Sequence, residues 1–60
     1  MKLVPQYLKN DVISDGINTI KIISHVINKD DIIYTGYLQD RLGKGQIIER
    51  NIIKVNGKKL

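Results

Sequence analysis

Apolar positions come in short bursts that alternate with polar ones, and turn-forming residues punctuate them at close intervals. Such spacing is the signature of strands rather than helices. "QYLKNDVIS", residues 6–14, reads as a first strand interrupted by Lys9-Asn10-Asp11. Asp15-Gly16 follows, a hairpin signal because both residues tolerate positive φ. "INTIKIISHVI", residues 17–27, reads as a second strand with Ile20, Ile22, Ser24 and Val26 on one face. Asn28 to Asp31 is a turn. "IIYTGYL", residues 32–38, is a third strand, and Gly36 inside it predicts a bulge or a bend. "QDRLGKG" connects to "QIIER", the fourth strand, and "NIIKV" is the fifth, with Glu49-Arg50-Asn51 forming one turn of 3₁₀ helix between them. Asn56-Gly57 is another turn, after which Lys58 to Leu60 either pair or fray. Met1 to Gln6 reads as a flexible lead-in, with Pro5 confined to an edge.

A competing periodicity exists. Ile13, Ile17, Ile20 and Ile27 also fall on one helical stripe, with Ser14 or Asp15 as an N-cap, which would make the chain α+β with a helix near 14–28. Composition favours the strand. Isoleucine occurs twelve times, and alanine, phenylalanine and tryptophan do not occur. β-Branched side chains lose χ1 freedom in a helix and pack well on a pleated surface, and the strongest helix former is missing. The expected fold is all-β: one domain over residues 1–60, built as a small five-stranded barrel.

The order of elements is a long hairpin, a third strand, a tight turn, a fourth strand, one short turn and a fifth strand. It resembles the Src-homology-3-like small barrels, the shape class of Tudor and KOW-type domains and of many small phage proteins. "YLKNDVIS" is similar to their opening strand and "GKGQIIERNIIKV" to their final hairpin, short helical turn and closing strand. The likeness covers residues 7–55. The acidic loop and tryptophan of the peptide-binding members are absent, as is an aromatic cage: the aromatic residues are Tyr7, Tyr34 and Tyr37. The resemblance implies a binding module that catalyses nothing. It does not name a ligand, because fold does not dictate function.

Sixty residues with no cysteine leave apolar packing, with or without a second chain, as the source of stability. One histidine, His25, cannot assemble a histidine metal site, so no cofactor or metal is expected. Asp30-Asp31 is explained by turn chemistry better than by acid–base work or calcium binding. No apolar run is long enough to span a membrane, and "MKLVPQYL" lacks the apolar core of a signal peptide. The expected location is the cytoplasm. Isoleucine, asparagine and lysine have A/T-rich codons, so a low-G+C genome is expected, a phage or mobile element included, and the cytoplasm is then that of the host cell.

Charge and the isoleucine doublets supply the candidate chemistry. The formal net charge is +4 and the pI about 9.6, a balance that attracts polyanions. Arg41, Lys44, Arg50, Lys54, Lys58 and Lys59 are the expected phosphate contacts, with Tyr37 or Tyr34 stacking on bases. Arginines number only two, which predicts contact with backbone rather than bidentate reading of guanine. Gly43-Lys44-Gly45 lacks the longer phosphate-loop pattern and is followed by a strand, so it reads as a tight turn. Neighbours on a strand point to opposite faces. The doublets Ile22-Ile23, Ile32-Ile33, Ile47-Ile48 and Ile52-Ile53 therefore place one isoleucine each outside a barrel. Ile23, Ile33, Ile48 and Ile52 are the expected interface, toward a second copy or a protein partner. Two functions follow: a module that contacts nucleic-acid backbone, or an accessory protein of a phage or mobile element that binds and inhibits a host protein.

Overall fold

The computed structural model describes residues 3–60, and their regular structure is strand apart from one 3₁₀ turn. The strands are β1 (Val12–Ser14), β2 (Thr19–Asn28), β3 (Asp31–Leu38), β4 (Lys44–Ile48), β5 (Lys54–Val55) and β6 (Lys58–Lys59). They form one six-stranded sheet in the order β4-β3-β2-β1-β5-β6, every neighbouring pair antiparallel. The all-β expectation holds, and the helix near 14–28 does not form. The closed five-stranded barrel is corrected. The sheet runs from β4 at one edge to β6 at the other without closing, and Lys58–Lys59 supplies a sixth strand.

The β2–β3 hairpin organises the molecule. Asn28 pairs with Asp31 around the two-residue turn Lys29-Asp30, where Lys29 has φ 55°. Toward the other end, Ile22 pairs with Gly36 and Ser24 with Thr35, so Ile23 is an extra residue and β2 is bulged. The glycine is required there. A Cβ on Gly36 would lie 2.1 Å from the carbonyl oxygen of Lys21.

The bulge also resets which side chains face inward. Ile20 and Ile22 are buried opposite Leu38 and Gly36. Past the bulge it is His25 and Ile27 that share the inner face with buried Tyr34 and Ile32, while Ser24 and Val26 turn outward. The expected single face of Ile20, Ile22, Ser24 and Val26 is thus split in two.

The first expected strand is also shorter than its apolar pattern. Residues 6–11 are not strand. Asn10 has φ 79°, the Leu8 N–H donates to the Asp11 carboxylate at 2.9 Å, and the Asp11 N–H returns to the Leu8 carbonyl at 3.1 Å. That turn lets only Val12–Ser14 pair. Asp15-Gly16 does not make a two-residue turn either. Its loop spans residues 15–18, where the Asp15 carboxylate accepts the N–H groups of Ile17 and Asn18 at 2.9 and 2.7 Å. These bonds, led by that of Asn18, hold the Asp15 carboxyl below its ordinary pKa. Asn56-Gly57 makes the tight turn instead, with φ 52° and 84°.

The core is Ile13, Ile20, Ile22, Ile32, Tyr34, Ile47 and Ile52, with Leu3, Tyr7, Leu38 and Val55 packed against it. Full burial of one such isoleucine contributes about 1.5–3 kcal/mol. In each doublet the first isoleucine is buried and the second is not. Ile23, Ile33 and Ile48 are half-buried, whereas Ile52 is 6% exposed and Ile53 48%. Ile52 is therefore a core residue, and the outward position that the interface reading gave it belongs to Ile53. The 3₁₀ turn Glu49–Asn51 shifts the phase between β4 and β5 and brings Ile52 inward. Of the lead-in, residues 1 and 2 lie outside the described residues. The rest is anchored at Leu3 and at Tyr7.

Candidate nucleic-acid interface

Registers of β2, β3 and β4 place side chains in cross-strand rows on the outer face. Lys21 pairs with Tyr37 and Tyr37 with Lys44, so an aromatic ring stands between two lysines. All three are exposed, Tyr37 by half. The Lys44 ammonium lies 5.7 Å from the centroid of the Tyr37 ring, within cation–π reach. The next row is Ser24, Thr35 and Gln46, hydrogen-bonding side chains with the Gln46 amide 3.4 Å from the Thr35 hydroxyl. Beyond it lies an apolar row of Val26, Ile33 and Ile48. The outer face thus grades from cationic and aromatic, through polar, to apolar.

The other expected cations are not gathered there. Arg41 forms an ion pair with Asp40 at 2.9 Å and donates to the Asn18 side-chain oxygen at 2.8 Å. Arg50 lies 3.6 Å from the Asp31 carboxylate. Both arginines are thereby offset by neighbouring acids. Lys54 pairs directly with Lys59, and Lys58 pairs with Val55, on the β5–β6 hairpin at the opposite end of the sheet order from β4. Lys44 alone of the six expected contacts joins Tyr37. Lys21, which was not among the expected contacts, stands on the other side of Tyr37. It is the one polar position between Ile20 and Ile22, and only the β2–β3 register shows that it faces Tyr37.

The tight turn expected at Gly43-Lys44-Gly45 is corrected: only Gly43 lies in the connection, and Lys44 and Gly45 already belong to β4. Gly43 has φ 117°, the Leu38 N–H donates to its carbonyl at 3.0 Å, and β4 starts at Lys44. Five residues, 39–43, connect β3 to β4, and no helix follows to aim amides at a phosphate.

The inner face holds a different arrangement. The Tyr34 hydroxyl donates to Glu49 Oε1 at 2.7 Å and accepts the N–H groups of Gln6 and Tyr7 at 3.1 and 3.3 Å. Burial, then the hydrogen bond to Glu49, pushes its pKa up to about 12. Tyr7 meets Tyr34 edge-on with centroids 5.8 Å apart, and His25 lies 6.4 Å from the same ring. Tyr34 is a buried hub with no face open for stacking, whereas Tyr37 is half-exposed. Beside the hub, a groove of about 380 Å³ runs between residues 5–9 and the bulged part of β2. Among the described residues no three His, Asp or Glu side chains cluster as a metal site. Among the described residues no helix is long and apolar enough to cross a membrane.

The chain matches no protein-family model, no curated protein and no solved structure.

Proposed function

We propose that this protein is a non-catalytic module that binds single-stranded nucleic acid on the outer face of β2, β3 and β4. The row Lys21–Tyr37–Lys44 carries this reading. An exposed ring offers a stacking surface that any base can use, worth about 1–3 kcal/mol per base. Flanking ammonium groups meet the phosphates on either side, and the Ser24–Thr35–Gln46 row adds hydrogen bonds to sugar and backbone. Contact is with shape and charge, not with a fixed base sequence. Lys54, Lys58 and Lys59 extend the positive field and steer the strand at a distance. The element order and the 3₁₀ turn before β5 support the likeness to Src-homology-3-like domains, a likeness that implies a binding module. The protein works in the cytoplasm, that of a host cell if a phage encodes it.

Fluorescence anisotropy with a labelled mixed-sequence single strand tests this at low and at high salt. Tight binding at low salt that weakens steeply with salt is expected. Tyr37→Ala weakens it by about 5- to 160-fold, the range that corresponds to one lost stack. Lys21→Gln with Lys44→Gln flattens the salt slope by about 1.4, two phosphates at roughly 0.7 each. A wild-type chain that ignores the strand at low salt sinks the proposal.

A second reading has its own observation: Ile33 and Ile48 adjoin Val26 in one apolar row, with Ile23 nearby at the bulge. An inhibitor of a host protein would bind through that row, and its complex would persist or strengthen as salt rises.

A further inference from the structure

The sheet has an edge in its middle. β1 pairs with β2 only over Thr19–Lys21, and the last bonds on that side join Ile22 to Asn10 and Asp11. From Ser24 to Asn28, β2 has β3 on one side and no strand on the other. Asn28 and Asp31 flank a two-residue turn and so form a hydrogen-bonded pair. By alternation Ser24, Val26 and Asn28 direct their backbone groups to β3. His25 and Ile27 direct theirs to the open side. No other backbone group takes them up among the described residues.

We propose that this edge joins a second copy of the same chain, antiparallel, about a two-fold axis at Val26. The register is self-complementary. His25 of one chain faces Ile27 of the other and exchanges two N–H to C=O bonds with it, and the symmetric pair repeats this on the far side of the axis. Val26 meets Val26 as the non-hydrogen-bonded pair, where side chains stand closest. Ser24 meets Asn28, one polar group against another. No charged residue opposes a like charge within the paired segment. Val26 and Ile27 are 54% and 50% exposed, a large apolar surface for one strand to leave in water. On pairing, the row Val26–Ile33–Ile48 continues into its symmetry mate, a six-residue apolar band across one sheet.

The other edges fit a second copy less well. β6 carries Lys58 and Lys59 and has only those two residues. β4 contains Gly45, which weakens a strand, and exposes Lys44. The groove favours β2 as well. The same register brings the second copy's turn, Lys29-Asp30, opposite Ile23 at the groove mouth, which Lys9 lines. Lys9 and Asp30 belong to neither ion pair of the described residues and have opposite sign.

The test uses the intact chain, which has no cysteine of its own. Wild type sediments as a dimer. Val26→Cys gives a disulfide-linked dimer under mild oxidant, because facing residues of a non-hydrogen-bonded pair reach disulfide distance; Gln46→Cys on β4 does not. Val26→Lys and Val26→Glu are each monomeric, and mixing the two restores the dimer. This pair keeps the idea falsifiable if the cysteine variant folds poorly. A monomeric wild type at the highest soluble concentration overturns the proposal. So does a dimer that survives Val26→Lys, or cross-linking at Gln46 in place of Val26.

Discussion

Gly36 is the residue on which the hairpin turns. Its missing Cβ admits the backbone of Lys21, and the nearest atoms are carbonyl atoms at 2.1 and 2.6 Å that cannot rotate away. Gly36→Ala must push β2 and β3 apart at the bulge, and a loss of about 1–3 kcal/mol or more is expected in urea unfolding. Gly57→Ala probes a different cost. It meets nothing within 4 Å, so only its φ of 84° is penalised, by about 1–2 kcal/mol. A Gly36→Ala chain as stable as wild type would contradict the close approach at Gly36. Tyr34 gives a pH test. Its proton is held to about 12 in the folded chain against an ordinary 10.0. The folded pKa is the higher one, so this stabilisation is complete below pH 10 and disappears as pH rises through 12. Tyr34→Phe removes the titrating group together with the bonds to Glu49, Gln6 and Tyr7. It should cost about 1–3 kcal/mol at neutral pH and flatten the alkaline limb. A variant as stable as wild type at pH 7, with the same alkaline loss, would place the titration elsewhere. Asp15 acts with opposite sign: its folded pKa is lowered, so its contribution is present above about 3.8 and is lost as pH falls through the folded value.

At the scale of elements, the short pieces are held by single side chains. Asn56 serves two elements at once: its φ of 52° makes the β5–β6 turn, and its side-chain oxygen accepts the Val12 N–H at 2.9 Å. Asn56→Gly keeps the turn and loses that bond, so about 1 kcal/mol is expected. Hydrogen exchange should show the Val12 amide opening, with β2 and β3 unchanged. If Val12 stays protected, the side chain is not its partner. The same pieces mark where sequence was readable. Strands β2 and β3, the 3₁₀ turn and the Asn56-Gly57 turn follow from alternation and turn chemistry, which are local, whereas β4 begins two residues before "QIIER" and β5 keeps only Lys54–Val55 of "NIIKV". Gly36 announced a bulge, but the extra residue sits across the ladder at Ile23, and no local pattern says which of Ile22 and Ile23 is unpaired. That one residue moves Ser24 and Val26 to the outer face. The expected first strand fell short for a similar reason. "QYLKNDVIS" alternates well enough, yet Asp11 closes a turn on Leu8 and diverts the chain toward Tyr34. The candidate site followed suit: Tyr37 and Lys44 were legible as an aromatic and a cation, whereas Lys21 joined them only through register.

On the whole molecule, net charge and its placement make different demands. The charge of +4 is spread over both ends of the sheet, and one part of that spread works against folding. Lys54 and Lys59 face each other on β5 and β6, with no carboxylate between them in the register. Like charges directly opposite destabilise a pair by about 0.2–1 kcal/mol. Lys59→Glu turns the repulsion into attraction and should raise the urea midpoint by a corresponding amount. The same change lowers net charge by two, from +4 to +2. If the hairpin only steers the strand, binding weakens modestly and the effect vanishes once salt screens it, since the screening length is about 8 Å at physiological salt. If Lys59 touches phosphate, the loss is larger and the salt slope falls by about the step expected for one contact, roughly 0.7. Lys21→Glu is the matched control, with the same charge change placed beside Tyr37. The outer-face reading requires it to weaken binding more than Lys59→Glu at every salt concentration. The reverse order would move the interface to the C-terminal hairpin and leave Tyr37 without a role.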